Sequence, residues 1–277
     1  MTARDAVRSA TAELERAGCP SPRVDAEWLL GHTLGISRTE LYADGVRPLG
    51  PEEEERLETL VARRASREPL AYILGEWGFR RLTLKVDPRV LIPRPETEVL
   101  VGRCLELLAG LEQPRVLDVG AGSGAIALGI ADEHPGATVV ATDSSPGALE
   151  VAAENRARTG LGDRVELVEG DLFAGVEGPF DLVVSNPPYV EPDEIESLEA
   201  EVRDFEPRAA LVATGVTEAL ARRAPEVLRD GGALCLEVAD GRAGGIAQLL
   251  ESLGYLAVTM TPDLAARERV VDGRTAR

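Results

Sequence analysis

The stretch Arg115-Val116-Leu117-Asp118-Val119-Gly120-Ala121-Gly122-Ser123-Gly124 decides the fold. Its first half, Arg115–Val119, is an apolar run of strand length. Its second half is a glycine-rich turn that opens a helix near 124–133. A strand turning directly into a helix through glycines is the first unit of a doubly wound α/β sheet. Glycines there let the chain bend tightly and let a ligand approach the backbone. Asp143 ends the next strand, 19 residues after Gly124. A carboxylate in that place can accept hydrogen bonds from both hydroxyls of a ribose. The competing reading is a plain strand–helix turn. Gly120-x-Gly122-x-x-Ala125 also satisfies the dinucleotide pattern, but Asp118 would repel a pyrophosphate. S-adenosylmethionine has no pyrophosphate, and Asp118 could face its cationic methionine end.

Beyond this stretch, strands and helices alternate. The pattern predicts a helix at 96–109, strands at 115–119 and 138–142, a helix near 146–158, and strands at 165–168 and 182–185. A helix near 216–228, a strand at 233–238, a helix near 242–253 and strands near 255–260 and 268–272 follow. Alternation implies a mostly parallel sheet covered on both faces. The last two strands have no helix between them, so they should pair antiparallel at the sheet edge. The expected class is α/β, a doubly wound, mostly parallel seven-stranded sheet with a small N-terminal helical bundle and a β linker.

Residues 1–68 read as that bundle. Val7, Ala10, Leu14 and Ala17 recur at helical spacing before Gly18 and Pro20, and a second helix runs from Pro22 to Leu34. A short third piece covers Arg38 to Tyr42, and Pro51 opens a fourth, because its missing N–H costs nothing in a first turn. Residues 69–95 alternate at strand spacing and then carry prolines at 88, 93 and 95, which reads as a hairpin and proline linker. Residues 96–277 form the cofactor-binding domain.

The 277 residues hold 30 Lys plus Arg against 48 Asp plus Glu, a net charge of −18. Such a balance opposes nonspecific binding of phosphate backbones. Cys19, Cys104 and Cys235 stand far apart, and His32 and His134 are the only histidines, so neither a disulfide framework nor a metal site is expected. No run approaches the ~18 apolar residues of a membrane span. The segment Met1–Ala10 lacks the apolar core of a secretion signal. Cytoplasmic location and no membrane contact are the expectations.

A second motif, Asn186-Pro187-Pro188-Tyr189, follows the apolar strand Asp181–Ser185 at the end where ligands of open α/β sheets bind. Two prolines, each with φ near about −65°, stiffen the loop. It can then present the Asn186 side-chain oxygen and the Pro187 carbonyl as two acceptors for one –NH₂ group. An amide nitrogen is a poor nucleophile because its lone pair is delocalised. Holding both N–H groups aims that lone pair at an electrophilic methyl and stabilises charge growing on nitrogen. Tyr189 offers a wall for a planar substrate. The bland alternative is a strand-ending proline turn capped by Asn.

These residues resemble the class I S-adenosylmethionine-dependent amino methyltransferases, which act on nucleic-acid bases or on protein glutamine. A further stretch separates the two. Arg67-Glu68-Pro69-Leu70-Ala71-Tyr72-Ile73-Leu74-Gly75, Phe79, and Val90-Leu91-Ile92-Pro93-Arg94-Pro95-Glu96-Thr97-Glu98 resemble the bacterial release-factor glutamine methyltransferases, the HemK/PrmC family. The likeness covers most of the chain, through Arg267-Glu268-Arg269-Val270-Val271. It implies methylation of the glutamine in the Gly-Gly-Gln loop of peptide chain release factors, with the helical domain docking that partner. It implies S-adenosyl-L-methionine bound by Gly120, Ala121, Gly122, Ser123, Gly124, Asp143, Leu172 and Asn186. The substrate glutamine would sit on Asn186, Pro187, Pro188 and Tyr189, with Asn186, Pro187 and Tyr189 catalytic and no metal. Two departures stand out. Relatives often carry an aromatic residue where this chain has Leu172, so only apolar contact with adenine is expected. Glu237-Val238-Ala239-Asp240 lacks a glutamine expected soon after it, a departure that reads as peripheral to the chemistry.

The remaining features have plain readings. Phe79 packs a domain junction or touches the partner. Trp28 and His32, one helical turn apart, read as a core or boundary pair, and His134 as a helix-end residue. Asp171 reaches adenine or caps a turn. The acids of 191–201 read as a solvated face. A nucleic-acid amino methyltransferase is opposed by the charge of −18 and the lack of a target-recognition domain. A noncatalytic cofactor-binding module would bind the cofactor and transfer nothing.

Overall fold

Residues at helix ends explain where the first helices start and stop. The computed structural model describes residues 1–43, 45–212 and 214–276. It opens with α1 (Ala3–Arg16), α2 (Pro22–Leu34), α3 (Arg38–Ala43), α4 (Pro51–Ala65) and α5 (Leu70–Leu74). The Thr2 hydroxyl caps α1 by accepting from Asp5 N–H, and α2 ends at Gly35 in the left-handed region. The Glu53 carboxylate reaches back to Gly50 N at 2.8 Å and braces the start of α4. Leu14, Leu29, Leu30, Leu57 and Val61 form the core of this unit.

The helical unit comprises Met1–Gly75 and, from far along the chain, Leu198–Phe205. It runs past residue 68, where the sequence reading ended it, because Leu70–Leu74 adds a helical turn that buries Ala71, Tyr72 and Ile73. The later segment brings in Glu201, which the sequence reading left on a solvated face. Glu201 is buried and accepts from Arg64 Nη2 at 3.0 Å and Arg67 Nη2 at 2.5 Å, while Arg64 Nε donates to Asp25 at 2.7 Å. Burying a carboxylate is tolerable because two guanidiniums neutralise it, a pairing that spacing cannot reveal. Trp28 and His32 are not core: both are exposed on α2. The buried side of that helix is Ala26, Leu29 and Leu30, and the Arg38 guanidinium stands 5.9 Å from the centre of the Trp28 ring.

The second unit begins with the hairpin β1 (Glu76–Phe79) and β2 (Leu82–Lys85). It continues as α6 (Pro95–Leu107), β3 (Arg115–Val119), α7 (Ala125–Glu133), β4 (Thr138–Asp143), α8 (Pro146–Thr159), β5 (Val165–Glu169) and β6 (Phe180–Ser185). After α9 (Ala200–Phe205), which belongs to the helical unit, come α10 (Arg208–Leu211), α11 (Val216–Arg223), β7 (Leu228–Glu237), α12 (Ala243–Ser252), β8 (Leu256–Pro262) and β9 (Glu268–Arg274). The helix expected over 216–228 stops at Arg223, since Pro225 within the next turn has no N–H to continue it.

The seven-stranded sheet has the order β5-β4-β3-β6-β7-β9-β8, with β9 antiparallel to both neighbours, as the closely spaced last strands implied. Strand order reverses between β3 and β6, which opens a crevice beyond their C-terminal ends. The two faces carry separate cores, one around Leu100, Leu128 and Ile130, the other around Phe180, Leu220 and Leu250. Phe79 is 1% exposed and packs in the first, so it is a core residue.

Candidate active site

Beyond β3, β4 and β6 lies a cavity of about 370 Å³. The glycine loop forms one wall through Gly120, Ala121, Gly122 and Ser123, and Asp143 and Leu172 form another. Asn186, Pro187 and Pro188 close the side beyond β6. Gly124 does not line the cavity: it caps α7, where an added Cβ would lie 3.2 Å from Leu128 Cδ1. Tyr189 does not line it either.

The loop is held by the chain itself. Gly120 N and Ala121 N both donate to Thr142 O at 2.8 Å. Gly122 N donates to Asp143 Oδ2 at 2.8 Å, and Ser145 N to Oδ1 at 2.9 Å. Each Asp143 oxygen therefore keeps a lone pair for a ligand while it fixes the loop. Gly120 and Gly122 have φ of 83° and 54°, a region side-chain-bearing residues rarely adopt. A Cβ on either would enter open space, so their bareness leaves room against the main chain. Asp118, one residue below the loop, is fully buried and does not line the cavity. Its Oδ2 accepts from Ala127 N at 3.1 Å, and its Oδ1 has no partner. Burial pushes its carboxyl up to about 7, against the pull of the Ala127 N–H and with a smaller push from Asp143. The backbone of Leu172 takes φ of 52°, and its carbonyl accepts from Thr142 Oγ1 at 3.2 Å. Gly170 and Asp171 line the cavity beside it.

The proline corner is tied down on both sides, to β3 before it and to α10 after it. Ser185 Oγ donates to Val119 O at 2.6 Å, and Val190 N donates to Leu211 O at 3.0 Å. Asn186 Nδ2 donates to Thr97 Oγ1 at 3.2 Å, and that hydroxyl donates to Glu237 Oε2 at 2.7 Å. Glu237 Oε1 is buried without a partner. Burial pushes the Glu237 carboxyl up to about 7, opposed by the Thr97 hydrogen bond and by Arg269 and Arg94. Burial also raises the Tyr189 hydroxyl, with Glu237 adding to it. Glu237 is thus two hydrogen bonds from Asn186, a link the sequence did not single out. Its position was the available signal: a carboxylate directly after the apolar run Ala233–Leu236 is costly unless something requires it. The proline linker contributes Val90, Leu91, Pro93 and, just after it, Thr97 to the same cavity.

The arrangement combines a side-chain-free cradle, a carboxylate beside it and a stiff corner with a free amide oxygen. It fits a nucleoside: bare glycines leave the space, and Asp143 offers acceptors to ribose hydroxyls.

Comparison with known proteins bears on the same residues. Residues 5–75 match the family model described as PrmC N-terminal domain, and residues 97–202 match Methyltransferase small domain. A release factor glutamine methyltransferase of Deinococcus radiodurans is 47% identical, covering 100% of this chain and 99% of the relative. One from Cereibacter sphaeroides is 42% identical, covering 99% of each. Among solved structures, a methyltransferase from Pyrococcus furiosus superposes with a TM-score of 0.51 at 21% identity, covering 70% of this chain and 89% of that one. It supports the fold alone.

Proposed function

The chain belongs to the release factor glutamine methyltransferases, and from that premise we propose that it methylates the side-chain amide nitrogen of the glutamine in the Gly-Gly-Gln loop of peptide chain release factors. The observation that carries this reading is that one cavity is walled both by the glycine loop with Asp143 and by Asn186-Pro187-Pro188. A donor site and an amide-holding corner therefore face the same space. S-adenosylmethionine, when bound, supplies an electrophilic methyl on a sulfonium. Gly120, Ala121, Gly122, Ser123, Asp143 and Leu172 hold it, with Asp143 on the ribose hydroxyls and Leu172 in apolar contact with the adenine. Asp118, fully buried and outside the cavity, does not meet the cationic end as its place in the sequence suggested; it braces the start of α7 through Ala127 N–H.

Asn186 Oδ1 and the Pro187 carbonyl accept the two N–H groups of the glutamine amide. Fixed acceptors cost no reorganisation as positive charge grows on the nitrogen. They orient its lone pair toward the methyl, and the nitrogen then loses one proton to water. Pro188 stiffens the corner. Tyr189 acts from behind the cavity wall, as a support. The helical unit, which exposes Val24, Trp28, Tyr42 and Val46, is the docking element for the release factor. Among the described residues no helix is long and apolar enough to cross a membrane, and we place the enzyme in the cytoplasm, where release factors act.

The test is mass spectrometry of release-factor peptides after incubation with enzyme and labelled cofactor, with DNA in parallel. One added methyl on the Gly-Gly-Gln glutamine is expected. Label on DNA alone favours a nucleic-acid amino methyltransferase, and cofactor binding without transfer to any release factor favours a noncatalytic module.

A further inference from the structure

We infer that Thr97 and Glu237 are positioning residues that fix which way the Asn186 carboxamide faces, and so decide whether the corner offers an acceptor or a donor to the substrate amide. The inference rests on the amide-holding role proposed above for Asn186. It starts from topology. Ser185 of β6 pairs in parallel register with Leu236 of β7, so the next residue of each lies beside the other, Asn186 next to Glu237, the last residue of β7. Thr97, in the first turn of α6, stands between them and also lines the cavity.

Hydrogen-bond polarity then runs one way. An ionised carboxylate only accepts, so the single Thr97 O–H points at Glu237 Oε2, 2.7 Å away. Toward Asn186 the hydroxyl has only lone pairs left. The group that can meet them is the –NH₂ of Asn186, and Nδ2 stands 3.2 Å from Oγ1. The carboxamide is planar, so Oδ1 faces the opposite way, free to accept a substrate N–H. Were the amide turned over, Oδ1 would oppose the lone pairs of Thr97 and –NH₂ would meet –NH₂ of the substrate. A carboxylate that touches neither substrate nor cofactor thereby sets the sign of the contact that does.

This device is sensitive to protonation. A protonated Glu237 can donate to Thr97, which then turns its own O–H toward Asn186 and favours the overturned amide. The charged and titratable groups around Glu237 are Arg269, Arg94, Glu96 and Tyr189. Glu237 Oε1 has no other partner to hold it in place.

The experiment compares Asn186→Ala, Thr97→Val, Thr97→Ser and Glu237→Gln on full-length enzyme with purified release factor, measuring kcat across pH and cofactor affinity by calorimetry. Thr97→Val keeps the shape and removes the hydroxyl. It is expected to lower kcat by about tenfold with cofactor affinity unchanged, and Thr97→Ser to restore most of the loss. Wild type is expected to lose kcat as pH falls through the Glu237 titration, and Glu237→Gln, whose amide dictates no polarity, to run slowly with that acid limb gone. Wild-type kcat in Thr97→Val, equal impairment in Thr97→Ser, or an unchanged acid limb in Glu237→Gln overturns the inference. If Asn186→Ala is inactive while Thr97→Val is normal, only the positioning role falls. If Asn186→Ala still turns over, the amide-holding role falls and this one with it.

Discussion

The loop after β3 and the loop after β6 each stand on a buried carboxylate with one oxygen bonded and one without a partner, Asp118 below the first and Glu237 below the second. Burial pushes both carboxyls up to about 7. Their bonded partners differ. Asp118 accepts from the main-chain N–H of Ala127, which can donate and nothing else. Glu237 accepts from a hydroxyl, which can turn. Protonating Asp118 therefore changes charge beneath the cradle, whereas protonating Glu237 can reverse a chain of hydrogen bonds that ends at the substrate. The loops themselves divide the same way. One works through bare backbone with its amides spent on Thr142 and Asp143, the other through a side chain on a backbone locked by prolines. Binding is expected to live in the first and turnover in the second.

The largest effect should come from the corner. Asn186→Ala removes an acceptor present where charge develops, and a fall of roughly 10²–10³ in kcat is expected, with cofactor affinity by calorimetry little changed. Asp143→Ala should leave kcat at saturating cofactor nearly intact and weaken affinity by about tenfold or more, because ribose contacts are lost and Gly122 N–H and Ser145 N–H lose their acceptor. Gly122→Ala is milder. Its Cβ enters open space at φ of 54°, a strain of about 1–2 kcal/mol, so a drop in affinity of about tenfold or less is expected. Were any of the three to move the other's parameter instead, the division between loops would fail.

Most of the second unit was legible because its signals are local. An apolar strand ending in Gly120-Ala121-Gly122 predicts both a helix and a ligand there, and the close spacing of β8 and β9 predicts their antiparallel pairing. Asn186 was legible because the two prolines that follow it mark the corner. Glu237 and Glu201 were not, since each is explained only by partners brought from 140 and over 130 residues away, Thr97 for one and Arg64 with Arg67 for the other. Trp28 misled because its apolar bulk suggested burial, while the face of α2 toward the bundle was already filled by Ala26, Leu29 and Leu30.

The same two carboxylates make stability depend on pH, and the sign follows from their environment. A carboxyl whose value is raised in the folded chain binds its proton more tightly there than in the unfolded chain, where 3.8 for Asp118 and 4.5 for Glu237 apply. Their contribution is fully present below those values and is lost as pH rises through about 7. The loss is on the order of a few kcal/mol for each. Asp87, held low by its hydrogen bonds to Arg89, acts in the opposite sense, but only below its ordinary 3.8, so the two effects separate. Denaturant unfolding of the free enzyme should show lower stability at about pH 8 than at about pH 5, and Asp118→Asn and Glu237→Gln should each remove part of that slope. Only Glu237→Gln should also remove the acid limb of kcat. If Asp118→Asn removes that limb and Glu237→Gln does not, the reversible hydroxyl between Glu237 and Asn186 is not what links ionisation to turnover, and the contrast between the loops runs the other way.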